Sequence, residues 1–138
     1  MEQRDYLLRQ IELMTQTLAN LIRRLLGIKE IHEEEAEQAT DEMLTEYLNL
    51  SLNEILRTPL KDIVELIIEK EGIHETNMDL FAEVLLIHGK VASDAERKRK
   101  FLERAYELYQ WLDIKSGIFS IERHQKMNEI KFLLGEQE

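Results

Sequence analysis

The stretch "HEEEAEQATDEM" places Glu33, Glu34 and Glu37 at positions i, i+1 and i+4. On a helix that spacing gathers carboxylates on one side, and oxygen ligands of this kind can hold Mg2+. Asp62 and Glu65 form a second acidic pair further along the chain. These five carboxylates are the candidate metal ligands. His32 opens the same stretch, but a zinc-protease helix needs a second histidine four residues on, and position 36 is alanine. Glu71 and His74 have the Glu-x-x-His spacing of di-iron bundles. The tetrad occurs once and is broken by Gly72 at a predicted helix end, which points to two exposed loop residues.

The acidic cluster resembles that of all-helical nucleotide pyrophosphohydrolases. In those enzymes such a cluster faces a second acidic pair on a neighbouring helix and holds Mg2+. The resemblance implies a Mg2+-dependent nucleotide hydrolase using Glu33, Glu34, Glu37, Asp62 and Glu65. That family's second motif is Glu-x-x-Asp, whereas this chain has the reverse order. No basic residue stands near the acids to hold a phosphate. The competing reading is a solvated acidic face near the favourable N-terminal end of a helix dipole. It predicts no metal, no cofactor and no catalytic residue, and it is the one adopted.

Other chemistry is sparse. There are no cysteines, which removes thiolate nucleophiles, disulfides and Cys-rich zinc sites. The five glycines fall singly at apparent helix ends, so no phosphate-cradling loop is present. His88 and His124 have no serine or acid at a spacing that suggests a catalytic set. "ERKRK" at Glu96 to Lys100, extended by Arg104, is the single basic run. It either lies solvated on a helix face, docks an acidic group, or pairs with the acidic helix of the same or another chain. Tyr106, Tyr109 and Trp111 follow it and are expected to pack in the core, with a groove lining as the alternative.

The elements that must position these residues are helices. Apolar residues recur every three or four positions, and no strand-like alternation occurs. Leu7, Ile11, Met14, Leu18, Leu21 and Leu25 are spaced 4-3-4-3-4, a heptad seam on a predicted helix over 3–26. Tyr6, Leu8, Ile22 and Leu26 widen the stripe enough to touch both a core and a second copy of the chain. Gly27 is expected to end this helix in the left-handed conformation. A second helix is predicted over 33–49, and a short one from Ser51. Thr58 and Pro59 then open a helix that runs to Gly72. Further helices are predicted from after Asn77 to near Gly89, from a Ser93–Glu96 capping box onward, and from Ser120 to Gly135.

The stretch 78–113 resembles a tetratricopeptide unit, a pair of helices with small residues where they cross. Phe81, Ala82 and Leu85 match the first helix, Gly89 the turn, and Ala105 the small position of the second helix. Lys98 stands where a small residue is expected, and no proline follows Asp113. The opening "DYLLRQIELMTQTLANLI" resembles the start of a family of small, uncharacterised bacterial all-helical proteins. Asp5, Tyr6, Leu7, Leu8, Arg9, Ile11 and Glu12 carry that likeness. The family has no assigned activity, and its later part is a tetratricopeptide-like helical region.

The expectation is therefore a single all-α domain over 1–138 with about six helices. The long helix over 1–27 is a possible dimerisation element, followed by tetratricopeptide-like antiparallel pairs over 33–135. A net charge of −10 argues against a nucleic-acid partner, since neutralising phosphates needs a concentrated basic surface. No apolar run approaches the length of a membrane span, and the N-terminus lacks the features of a signal peptide. The function expected is non-catalytic protein–protein contact in the cytoplasm, including a homodimer through helix 1. Its contact residues would be Leu7, Ile11, Met14, Leu18, Leu21 and Leu25, with Lys98, Arg99 and Trp111 as a second surface.

Overall fold

The computed structural model describes residues 2–27 and 32–135. The described residues form seven α-helices and one 3-10 turn, and no strand occurs among them. They are α1 (Glu2–Leu26), α2 (Glu33–Leu48), α3 (Leu52–Arg57), α4 (Ile63–Ile68), α5 (Glu75–Val91), α6 (Ala95–Ser116) and α7 (Ile121–Leu133). The 3-10 turn spans Leu60–Asp62, just before α4.

The α5–α6 pair forms the centre. Its antiparallel course follows from two points of contact. Asp79 near the start of α5 and Asp113 near the end of α6 both reach Arg123, and Gly89 near the end of α5 meets Leu102 early in α6. Phe81, Ala82 and Leu85 on α5 face Phe101, Ala105, Leu108 and Tyr109 on α6, all essentially solvent-free. At Gly89 the helices come so close that an added Cβ would lie 2.5 Å from Leu102 Cδ2. Gly89 therefore sits inside α5 as a contact residue rather than in the turn, because any side chain there would separate the helices.

Around this pair, α1 packs on α5, α2 on α1 and α5, α3 and α4 on α6, and α7 on α6. Met14, Leu18, Leu21 and Leu25 carry the seam of α1 into the core.

Several boundaries differ from the sequence expectation. The segment after Pro59 is not one helix to Gly72; α4 ends at Ile68, and the chain turns back to α1 with Gly72 at φ 93°. Thr58 closes α3 rather than opening the next helix, its hydroxyl donating to the Glu54 carbonyl at 2.7 Å. Gly27 ends α1 without a left-handed φ, its N–H still bonded to the Arg23 carbonyl at 2.9 Å. Left-handed caps occur instead at Asn49, after α2, and at Gly117, after α6.

The start of α5 moves upstream for a local reason. His74 caps Thr76 N–H, and the Asn77 side chain accepts from His74 N–H at 2.8 Å. Asn77 is thus the third residue of the helix, where it completes a capping box. Its amide also donates to the Gly72 carbonyl at 2.8 Å, and at 3.4 Å to the Ile11 carbonyl and Thr15 Oγ1 on α1. Similarly, α6 is capped by Asp94, which accepts from Arg97 N–H, and not by Ser93. Ser93 is taken by α2: both its N–H and its hydroxyl donate to the Glu33 carboxylate.

Candidate interaction surface

The basic run is spent on holding the fold together. Arg97 forms a two-point ion pair with Glu37 of α2, at 2.7 and 3.1 Å. Lys98 donates to the carbonyls of Gly89 and Lys90 at 2.8 and 3.1 Å. Those are carbonyls of the last turn of α5, which lack partners within their own helix and carry the negative end of its dipole. Arg104 is buried, and its guanidinium donates to the carbonyls of Ile55, Leu56 and Thr58 at the end of α3. One stretch of α6 thus ties down α2, α5 and α3 in turn. Lys98, which the sequence reading placed on a second contact surface, is engaged with the end of α5. Arg99 is exposed, bridging Glu96 and Glu103 along its own helix.

The acidic residues do not converge. Glu33 holds Ser93 and Glu37 holds Arg97, while Glu34 remains exposed on α2. Asp62 and Glu65 lie on the 3-10 turn and α4, which pack against α6. Among the described residues no three acidic or histidine side chains are grouped to hold a metal ion. Glu33, Glu34, Glu37, Asp62 and Glu65 are thus not gathered into one such group. Glu71 and His74 also face different groups: Glu71 lies near Tyr6 and raises the tyrosine's pKa, and His74 caps α5.

His88 is buried between α2 and α6. Its Nε2 shares a hydrogen bond of 2.7 Å with Thr40 Oγ1, and its ring lies against Phe101. Burial lowers its pKa to about 4, with the nearby Arg97 acting in the same direction and Glu33 opposing. The imidazole is therefore neutral near pH 7 and acts as a structural link.

Tyr109 lies in the core, as its spacing suggested, and Trp111 is half-buried against it. The Tyr109 hydroxyl meets no hydrogen-bond partner, and burial raises its pKa, with Glu83 and Asp79 adding to the effect. An unpaired buried hydroxyl costs about 1–3 kcal/mol. Tyr109→Phe is expected to raise the stability to urea by about 1 kcal/mol; a loss of stability would mean that the hydroxyl is satisfied in solution.

Two groups of neighbouring apolar residues are exposed together among the described residues. The first lies on α1. Leu7 continues the face formed by Met14, Leu18, Leu21 and Leu25, yet it is 53% exposed while those four are buried. The stripe thus runs about one turn past the body that covers it, with Ile11 half-buried at the edge, and Tyr6 and Leu8 are exposed beside it. The second is the turn from α6 to α7, where Ile114, Ile118, Phe119 and Ile121 are all exposed. Sequence reading missed this turn, although "IKSGIFSI" held the signal: a cluster of large apolar residues around a glycine, outside any helical stripe.

That turn is held from below by Arg123, a buried guanidinium. It donates to Asp79 on α5 at 3.1 Å, to Asp113 on α6 at 3.1 Å, and to the Ile118 carbonyl at 3.4 Å. His124 adds a contact to Asp113 at 3.2 Å and lies tilted against Phe119 with ring centres 4.5 Å apart.

No helix among the described residues is long and apolar enough to cross a membrane. Compared with known proteins, the chain matches no family model, no curated protein and no solved structure.

Proposed function

We propose that this protein is a non-catalytic helical module that works in the cytoplasm through protein–protein contact, first of all with a second copy of itself. The observation that carries the reading is the uncovered start of α1. Leu7 belongs to the core-facing stripe by its helical position, yet it remains half exposed. Burying a large aliphatic side chain is worth about 1.5–3 kcal/mol, so an overhanging apolar stripe favours a partner. The seam as first read, from Leu7 to Leu25, is too long for this role. Met14, Leu18, Leu21 and Leu25 are committed to the chain's own core, leaving Leu7 with Ile11 at its edge.

Tetratricopeptide-like packing is consistent with the central pair, since Ala82, Gly89 and Ala105 let α5 and α6 approach closely. The likeness to the family of small bacterial helical proteins, read from the opening residues, stands with it as a proposal.

Size-exclusion chromatography with light scattering tests the reading. A dimer is expected at tens of micromolar. A monomer that persists to high micromolar concentration overturns self-association.

A further inference from the structure

We propose that the partner surface for α1 is the α6–α7 turn of the second copy, in a reciprocal two-fold contact at one end of the molecule. This rests on the self-association reading and specifies its geometry.

Both uncovered surfaces flank the same structural point, the first turn of α5. On one side, the Asn77 amide reaches the Ile11 carbonyl and Thr15 Oγ1, just below the overhang of α1. On the other, Asp79 holds Arg123, which in turn holds the Ile118 carbonyl. In the proposed dimer a two-fold axis passes near the start of α5, perpendicular to the line joining the two patches, and sets the α1 overhang of each copy against the turn of the other. Contacts of this kind close on themselves and stop at a dimer.

The area suits this occupant. Ile114, Ile118, Phe119 and Ile121 are 78%, 70%, 68% and 65% exposed, and Tyr6, Leu7 and Leu8 are each just over half exposed. With about 150–250 Å2 for an aromatic side chain and somewhat less for an aliphatic one, the two patches together present on the order of 800 Å2. A standard interface takes about 800 Å2 from each partner.

The turn is also prepared for docking. The Ser116 hydroxyl accepts from Ile118 N–H, Gly117 takes a φ of 65°, and His124 lies tilted against Phe119. A loop already fixed in shape loses little conformational freedom on binding. Charge is sparse on it, with Lys115 the sole charged residue over 114–121. Two copies, each at −10, repel at long range, and salt screens that repulsion. Added salt should therefore strengthen this dimer, whereas one built on the basic run and the acidic α2 would weaken.

The chain has no cysteine, so single cysteines report contacts cleanly. Leu7→Cys and Phe119→Cys chains, one of them carrying a tag, are mixed and treated with a short bismaleimide. Both positions are exposed, so neither substitution threatens the fold. The expected product is the mixed Leu7–Phe119 cross-link in clear excess over either homotypic product. A Leu7→Asp, Phe119→Asp double variant is expected to be a folded monomer by light scattering and circular dichroism. If light scattering shows a wild-type dimer while the mixed cross-link is absent, or homotypic Leu7 links dominate, the proposed contact falls and self-association stands. If the wild-type chain is monomeric at high micromolar concentration, both fall.

Discussion

Replacing Arg104 with alanine should lower the unfolding free energy by about 3–5 kcal/mol, a large part of the margin of a small domain. The guanidinium lies buried with its N–H groups directed at the carbonyls of Ile55, Leu56 and Thr58. The short helix α3 has only six residues, and the carbonyls of its last turn have no partner within the helix. Removing the side chain leaves them facing apolar neighbours. Each buried unsatisfied group costs about 1–3 kcal/mol, offset in part wherever water can enter. Burial lowers the pKa of Arg104, yet arginine retains its proton in proteins, which makes it the suitable residue for this task. Arg104→Lys should recover only part of the loss, since an ammonium cannot match the planar fork that serves several carbonyls at once. Urea unfolding of the three chains gives the comparison. A change below about 1 kcal/mol for the alanine variant would mean that the end of α3 is not held by this side chain.

Between pH 7 and pH 4 the buried histidine should cost the protein about 3 kcal/mol. His88 ionises near pH 6.5 in the unfolded chain and near 4 in the fold. Between those values the unfolded chain binds the proton and the native chain does not. Stability therefore rises with pH across this window, is fully present above about 6.5, and is lost as the pH falls toward 4. The groups facing the ring are Thr40 and Glu33 from α2 and Phe101 and Arg97 from α6. Glu33 pulls the other way but does not outweigh burial and Arg97. Carboxylates titrate in the same range, so the readout is the difference between the wild-type chain and His88→Gln. The wild type should lose about 3 kcal/mol more than the variant between the two pH values. Parallel pH profiles would show that His88 is accessible to protons in the native state.

Much of the fold was legible because it depends on local periodicity. The stripe on α1, the acidic α2 and the Ser120 cap of α7 each follow from residues within one or two turns of each other. The all-α class required nothing more. Boundaries were harder where a candidate cap had a better partner elsewhere. Ser93 resembled an N-cap by sequence, but Glu33, sixty residues away, captures it. Asn77 resembled a residue before a helix, but its amide is needed within the helix to bind Gly72 and α1.

The candidate site was legible only in part for the same reason. A row of lysines and arginines shows that charge is present but not what faces it. Arg97 finds Glu37 across 60 positions, and Arg104 finds Ile55 across 49. Nothing in the run "ERKRK" distinguishes Lys98, which serves the end of α5, from Arg99, which faces solvent. The uncovered length of α1 was also hidden. Periodicity fixes which face of a helix is apolar, while the extent of the body beneath it depends on α5.

The anchoring role of α6 has a consequence for synthesis on the ribosome. When the chain has emerged as far as Asp94, α2, α3 and α5 can each coil, but Glu37 and the trailing carbonyls of α3 and α5 still await Arg97, Lys98 and Arg104. A nascent fragment that stops before Arg97 thus lacks the fasteners for three of its own helices. The final architecture has to close late, once the last third of the polypeptide is free to fold back onto the first two.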